Sequence, residues 1–97
     1  MIRNVVLVKL KADHDAAKVA EIQEGLRRIE CLGTLRYTLG DDAGLRDGNW
    51  SFAIVADFED RDAYRAYDQD PEHNRLRARL APMAEHIARV QFEVPAS

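Results

Sequence analysis

Ninety-seven residues, 46% hydrophobic and 32% charged, fit one folded domain over 1–97 and exclude a disordered chain. A net charge of −3 gives no electrostatic reason to hold nucleic acid, and a single cysteine, Cys31, excludes an internal disulfide and fits a reducing cytoplasm. His14, His73 and His86 have no ligand spacing, no CxxC or HExxH points to a metal, and GxGxxG, P-loop and GxSxG patterns are missing.

Residues 2–11 read as a strand whose faces are Asn4, Val6, Val8, Leu10 and Arg3, Val5, Leu7, Lys9. Both faces carry apolar residues, so both are expected to be covered. The run Val5-Val6-Leu7-Val8 is too short for a signal-peptide core or a membrane span. Asp13 or Asp15 can cap a helix running to about Glu30, with Val19, Ile22, Leu26 and Ile29 as its apolar stripe and Gly33 as its end. Gly25 inside that helix costs about 1 kcal/mol against alanine.

Leu35, Tyr37 and Leu39 alternate with Arg36 and Thr38 as a second strand, and 40–49 reads as a hairpin loop. Trp50 to Phe58 is a third strand, with Phe52, Ile54, Ala56 and Phe58 on one face and Ala53 and Val55 on the other. Helices are expected over 61–69 and 71–85, the second carrying Leu76, Leu80, Met83 and Ile87 as an apolar stripe that Pro82 kinks or shortens. Arg75, Arg77 and Arg79 read as its solvated face. Val90, Phe92 and Val94 alternate with Arg89, Gln91 and Glu93 as a fourth strand that Pro95 stops.

The strongest local signal lies between the two helices. Asp70 can cap a helix with its carboxylate, and Pro71 suits the first helical position, where an N–H would go unpaired. His73 then falls in the first turn, beside the positive end of the helix dipole, which favours a neutral imidazole able to accept a proton. Tyr67 lies just upstream. Packing of Tyr67 and surface exposure of His73 is the plainer alternative for the pair.

The order β-α-β-β-α(α)-β is the split arrangement of ferredoxin-like α+β folds, a four-stranded antiparallel sheet with helices on one face. Those helices leave the second apolar face uncovered, and the chain has nothing left to bury it. The predicted cover is the same face of a second copy, giving a homodimer with a barrel-like interior.

Three stretches carry a resemblance to the stress-responsive A/B barrel (Dabb) family. They are Ile2-Arg3-Asn4-Val5-Val6-Leu7-Val8-Lys9-Leu10-Lys11, the run from Phe58-Glu59-Asp60-Arg61-Asp62-Ala63-Tyr64 through Ala66-Tyr67-Asp68-Gln69-Asp70-Pro71-Glu72-His73, and Val90-Gln91-Phe92-Glu93-Val94. The resemblance implies a dimeric α+β barrel with a cavity between sheet and helices for a small, often aromatic or polyketide-like molecule. The best understood relative type closes a polyketide ring by aldol condensation without cofactor or metal, and its His and Tyr in this stretch match His73 and Tyr67. Other members are described only as stress-induced proteins without catalysis. The family usually has His where this chain has Asn4, and often His where it has Asp70; Asn4 hydrogen-bonds but does not titrate.

Two functions follow. In the first, a cofactor-independent cyclase or lyase uses His73 as base and Tyr67 as hydrogen-bond donor. Asn4 orients the substrate, Val6, Val8, Ile22, Leu26, Phe52 and Ile54 line the pocket, and Arg89 is an anion anchor or simply faces solvent. In the second, a non-catalytic dimer binds a small hydrophobic ligand or serves in stress. A heme- or oxygen-using barrel is a third class, with His73 its one candidate axial ligand.

Overall fold

The computed structural model describes residues 1–95. The chain runs β1 (Ile2–Leu10), α1 (Ala16–Arg27), β2 (Thr34–Asp41), β3 (Phe52–Phe58), α2 (Arg61–Asp68), α3 (Pro71–Leu80), a 3-10 turn (Ala81–Met83) and β4 (Ala84–Glu93). The strands form one antiparallel sheet in the order β2-β3-β1-β4, the ferredoxin-like arrangement expected. Period-two alternation sends Asn4, Val6 and Val8 of β1 and Phe52, Ile54, Ala56 and Phe58 of β3 to the helix side. There Val8, Ile22, Phe58 and Leu76 are the largest fully buried side chains.

Three local readings are corrected. First, α3 stops at Leu80 rather than 85, and Ile87 belongs to β4 instead of the helical stripe. Pro82 cannot donate to the helical ladder and its ring collides with the turn before it, so the chain tightens into 3-10 geometry and leaves as a strand. The bond from Lys11 N–H to the Met83 carbonyl (2.8 Å) fixes that exit to the end of β1.

Second, α1 ends at Arg27, so Gly33 does not end it. Gly33 sits at φ +91° in the turn into β2, where an added Cβ would stand 2.6 Å from the Ala63 Cβ. Both the left-handed backbone and the contact with α2 require glycine. Third, Gly25 is more than a weak helix position: an added Cβ would meet Leu76 Cδ2 at 3.0 Å and Cδ1 at 3.1 Å. The missing side chain is the space into which α3 packs against α1.

Among the described residues no element covers the other side of the sheet. Leu7, Val90 and Phe92 are 45%, 55% and 45% exposed there, with half-buried Val5, Ala53 and Val55 between them. At one border Arg3 donates to both Asp57 oxygens, at 2.7 and 3.0 Å. Those hydrogen bonds hold the Asp57 carboxyl below the usual range, with the Arg3 and Arg36 charges helping. A tied ion pair beside an apolar strip is a surface shaped like an interface rather than a solvated sheet.

Candidate functional site

Two short helices and their junction position the site. Asp60 caps α2, accepting from the Ala63 N–H at 2.8 Å, and one inner face of the helix carries Tyr64, Tyr67 and Asp68. Tyr67 is 4% exposed and packs on Phe58 with ring centroids 5.1 Å apart. The helix ends at Gln69, and Asp70 and Pro71 restart the chain as α3. The Asp70 carboxylate accepts from the His73 N–H at 2.9 Å, as the capping pattern predicts.

This turn folds His73 back onto Tyr67. Their ring centroids lie 4.2 Å apart at 36°, a tilted ring contact rather than a hydrogen bond between side chains. The Tyr67 hydroxyl instead donates to the Tyr37 hydroxyl on β2, at a long 3.4 Å. His73 is buried, and its Nδ1 has no hydrogen-bond partner among the described residues.

Burial is the main cause that pushes the His73 imidazole below its ordinary value of 6.5. The Arg77 charge adds to it, and the Asp68 and Asp70 carboxylates oppose it. Neutrality therefore comes first from desolvation, with the neighbouring guanidinium adding to it. Burial likewise pushes Tyr67 far above the phenol range, reinforced by Tyr37, and raises Tyr37 and Tyr64. Near neutral pH the cavity thus offers a neutral imidazole and phenols that keep their protons.

A cavity of about 50 Å³ lies between the sheet and these helices. That is room for a few heavy atoms, well under the roughly 300–1,000 Å³ usual for drug-sized ligands. Its walls bring together His73, Tyr67, Asn4, Val6, Val8, Leu26, Ile54 and Arg89. Ile22 and Phe52 are not part of the wall; both are core residues packed behind it. Asn4 is 4% exposed, and its carbonyl oxygen accepts from the Gln91 amide at 2.8 Å.

Tyr64, Asp68, Arg77, Leu80 and Ile87 also line the cavity. Helical spacing carried the signal for the first four: Tyr64 lies three residues before Tyr67, Arg77 four after His73, and Asp68 and Leu80 share those faces. Arg77 is therefore not on a solvated face; it is half-buried and donates to Asp68 at 3.2 Å. Among the described residues no three His, Cys, Asp or Glu side chains form a group that could hold a metal ion, and no helix is long and apolar enough to cross a membrane.

The model of the stress responsive A/B barrel domain matches residues 2–94. The chain belongs to that family. A search among curated proteins finds no significant match. Among solved structures, the chain is similar to a dimeric ferredoxin-like protein of unknown function from Thermobifida fusca. The two are 32% identical, with 96% of this chain and 90% of that one covered and a TM-score of 0.86. A Dabb family protein from Mesorhizobium loti is 24% identical, covers 99% and 97%, and has a TM-score of 0.72. The hydroxynitrile lyase of Passiflora edulis is 16% identical, covers 99% and 94%, and has a TM-score of 0.81. At those last two identities the likeness is one of fold alone, and it carries no chemistry to this chain.

Proposed function

We propose that this Dabb chain works as a homodimer paired through the open sheet face, and that each protomer binds the carbonyl-bearing end of a small aromatic or polyketide-like molecule beside His73. Supporting the dimer are the uncovered strip around Leu7, Val90 and Phe92 and the dimeric state of the Thermobifida relative. The observation that carries the site is a buried neutral imidazole, Nδ1 unpartnered, lying on a phenol in a cavity.

The chemistry these groups support is cofactor-independent acid–base catalysis of carbon–carbon bond formation or cleavage. His73 takes a proton from carbon next to the carbonyl, or from a hydroxyl, and becomes imidazolium. The electron pair moves onto the carbonyl oxygen, and a phenol O–H, which rotates about its C–O bond, steadies that charge. In closure the enolate carbon attacks a second carbonyl carbon, whose oxygen takes the π pair and then the proton from the imidazolium. In cleavage the deprotonated hydroxyl becomes a carbonyl as the carbon–carbon bond breaks, and the enolate released takes that proton back. Asn4, its oxygen held by Gln91, keeps its amide N–H groups for orienting the substrate. The cavity takes only the reacting end, leaving the rest of a larger molecule to extend past exposed Arg89.

The second reading, a dimer that binds without turnover, draws on the Asn4–Gln91 amide pair, which puts no titrating partner on the strand side of the cavity. Native mass spectrometry of wild type and His73→Ala, paired with deuterium exchange at the α-carbon of small ketones and aldehydes in D2O, separates the two. A dimer that accelerates exchange only while His73 is present fits the enzyme. A dimer that holds a ligand without exchange fits the binder, and a stable monomer at micromolar concentration refutes the pairing.

A further inference from the structure

We infer that the molecule this cavity takes is a small monocarboxylate, its carboxylate held by Arg89. The inference rests on reading the cavity as the ligand site, and it comes from the charges on the walls. Two guanidiniums, Arg77 and Arg89, and one carboxylate, Asp68, face the space. Arg77 is already committed: it donates to Asp68 at 3.2 Å and also to the Asn74 side-chain oxygen. His73 contributes no charge near neutral pH.

Arg89 has no carboxylate partner among the described residues, although most arginines of this chain have one. On its own strand, Glu93 is occupied by Arg61 and the N-terminal amine, and Glu85 by Lys9. One positive charge is therefore left over at a cavity whose other charges cancel, in a chain whose net charge is −3.

Register explains how it gets there. Arg89 pairs with Val6 across β1 and β4, and Gln91 pairs with Asn4 two residues along the same face. The guanidinium thus rises from the wall that already holds the polar end of the cavity. A neutral ligand seated there would strip water from an unpaired cation, whereas a carboxylate meets its planar fork with two parallel hydrogen bonds. A phosphate dianion brings two charges to a single surplus one and is bulky for about 50 Å³.

The test is a titration of uniformly 15N-labelled full-length protein with acetate, its neutral isostere acetamide, and inorganic phosphate at constant ionic strength. The expected result is saturable shifts at the Val6, Ile87 and Arg89 amides with acetate alone. Affinity should fall about tenfold or more in Arg89→Gln and partly in Arg89→Lys, which keeps the charge and loses the fork. Circular dichroism checks that each variant is folded, as expected for an exposed position. No acetate shift there, equal response to acetamide, preference for phosphate, or undiminished acetate affinity in Arg89→Gln would each overturn the inference. The base chemistry is judged separately by deuterium exchange in the wild type. Acetate binding without exchange refutes that reading and leaves this one standing.

Discussion

Replacing Gly25 with alanine sets two effects of similar size against each other, and the structure decides the sign. Alanine is favoured over glycine inside a helix by about 1 kcal/mol, and taken alone that would stabilise α1. The new Cβ, however, would stand 3.0 and 3.1 Å from the two Leu76 methyls. Leu76 is 2% exposed and packed among Val8, Ile22 and Leu80, so it has little room to withdraw. Overpacking of this kind costs roughly 1–3 kcal/mol. The expected net effect is a loss of about 1 kcal/mol, or about 4–8 °C in Tm for a domain of this size. Thermal and urea unfolding at one fixed protein concentration measure it, since pairing makes Tm concentration-dependent. Leu76→Val, which vacates a methylene's volume at the contact, should recover part of the loss in a double-mutant cycle. A higher Tm for Gly25→Ala, or no coupling to Leu76→Val, would refute the packing argument. Leu76 follows His73 by one turn, so pushing α3 outward should also displace the imidazole from Tyr67, visible as a change in the His73 titration.

Three further outcomes are expected. His73 titrates below 6.5 when folded, so the unfolded chain binds more protons in that window; its contribution is complete above the unfolded value and is lost as pH falls toward the folded one. Tm of the wild type between pH 7 and 5 should therefore fall more steeply than that of His73→Gln, and parallel slopes would contradict the burial argument. Leu7→Glu places a like charge from each copy in the proposed interface, and sedimentation velocity should show a monomer with unchanged circular dichroism; a persisting dimer would place the contact elsewhere. Asp70→Ala removes the cap of α3 at a cost of about 1 kcal/mol, with Asp70→Asn keeping most of it, read by urea denaturation.

The fold was legible because its signals are local. Alternation in β1 and β3 and the Asp70-Pro71 restart each need only a few neighbouring residues. Ile87 was misread because an apolar residue four places after Met83 continues a helical stripe as well as it begins a strand, and only Pro82 separates the two. In the site, Tyr67 and His73 could be picked out, but not their ring contact, which depends on the turn at Gln69. In sequence Tyr37 is only a strand residue, since its hydroxyl meets Tyr67 across thirty residues of chain. A run of arginines on one helix looks uniform in sequence, although the helix turns Arg77 into the cavity wall.

The sheet order also dictates when the pocket comes into being. Its strand wall is made of β1, β3 and β4, and β1 and β4, the first and last strands, lie side by side and close with the Val94 N–H on the Met1 carbonyl at 2.9 Å. Bringing them together closes a loop of nearly the whole chain, among the slowest steps a domain of this size can take. Until β4 docks, the wall opposite His73 and Tyr67 lacks Ile87 and Arg89, and Arg89 and Gln91 are not beside Val6 and Asn4. The hairpin of β2 and β3 can form early, but a chain still lacking β4 has the imidazole without the cavity. The site is thus completed by a contact between the two ends of the chain, and binding competence should track completion of the sheet rather than the appearance of helix.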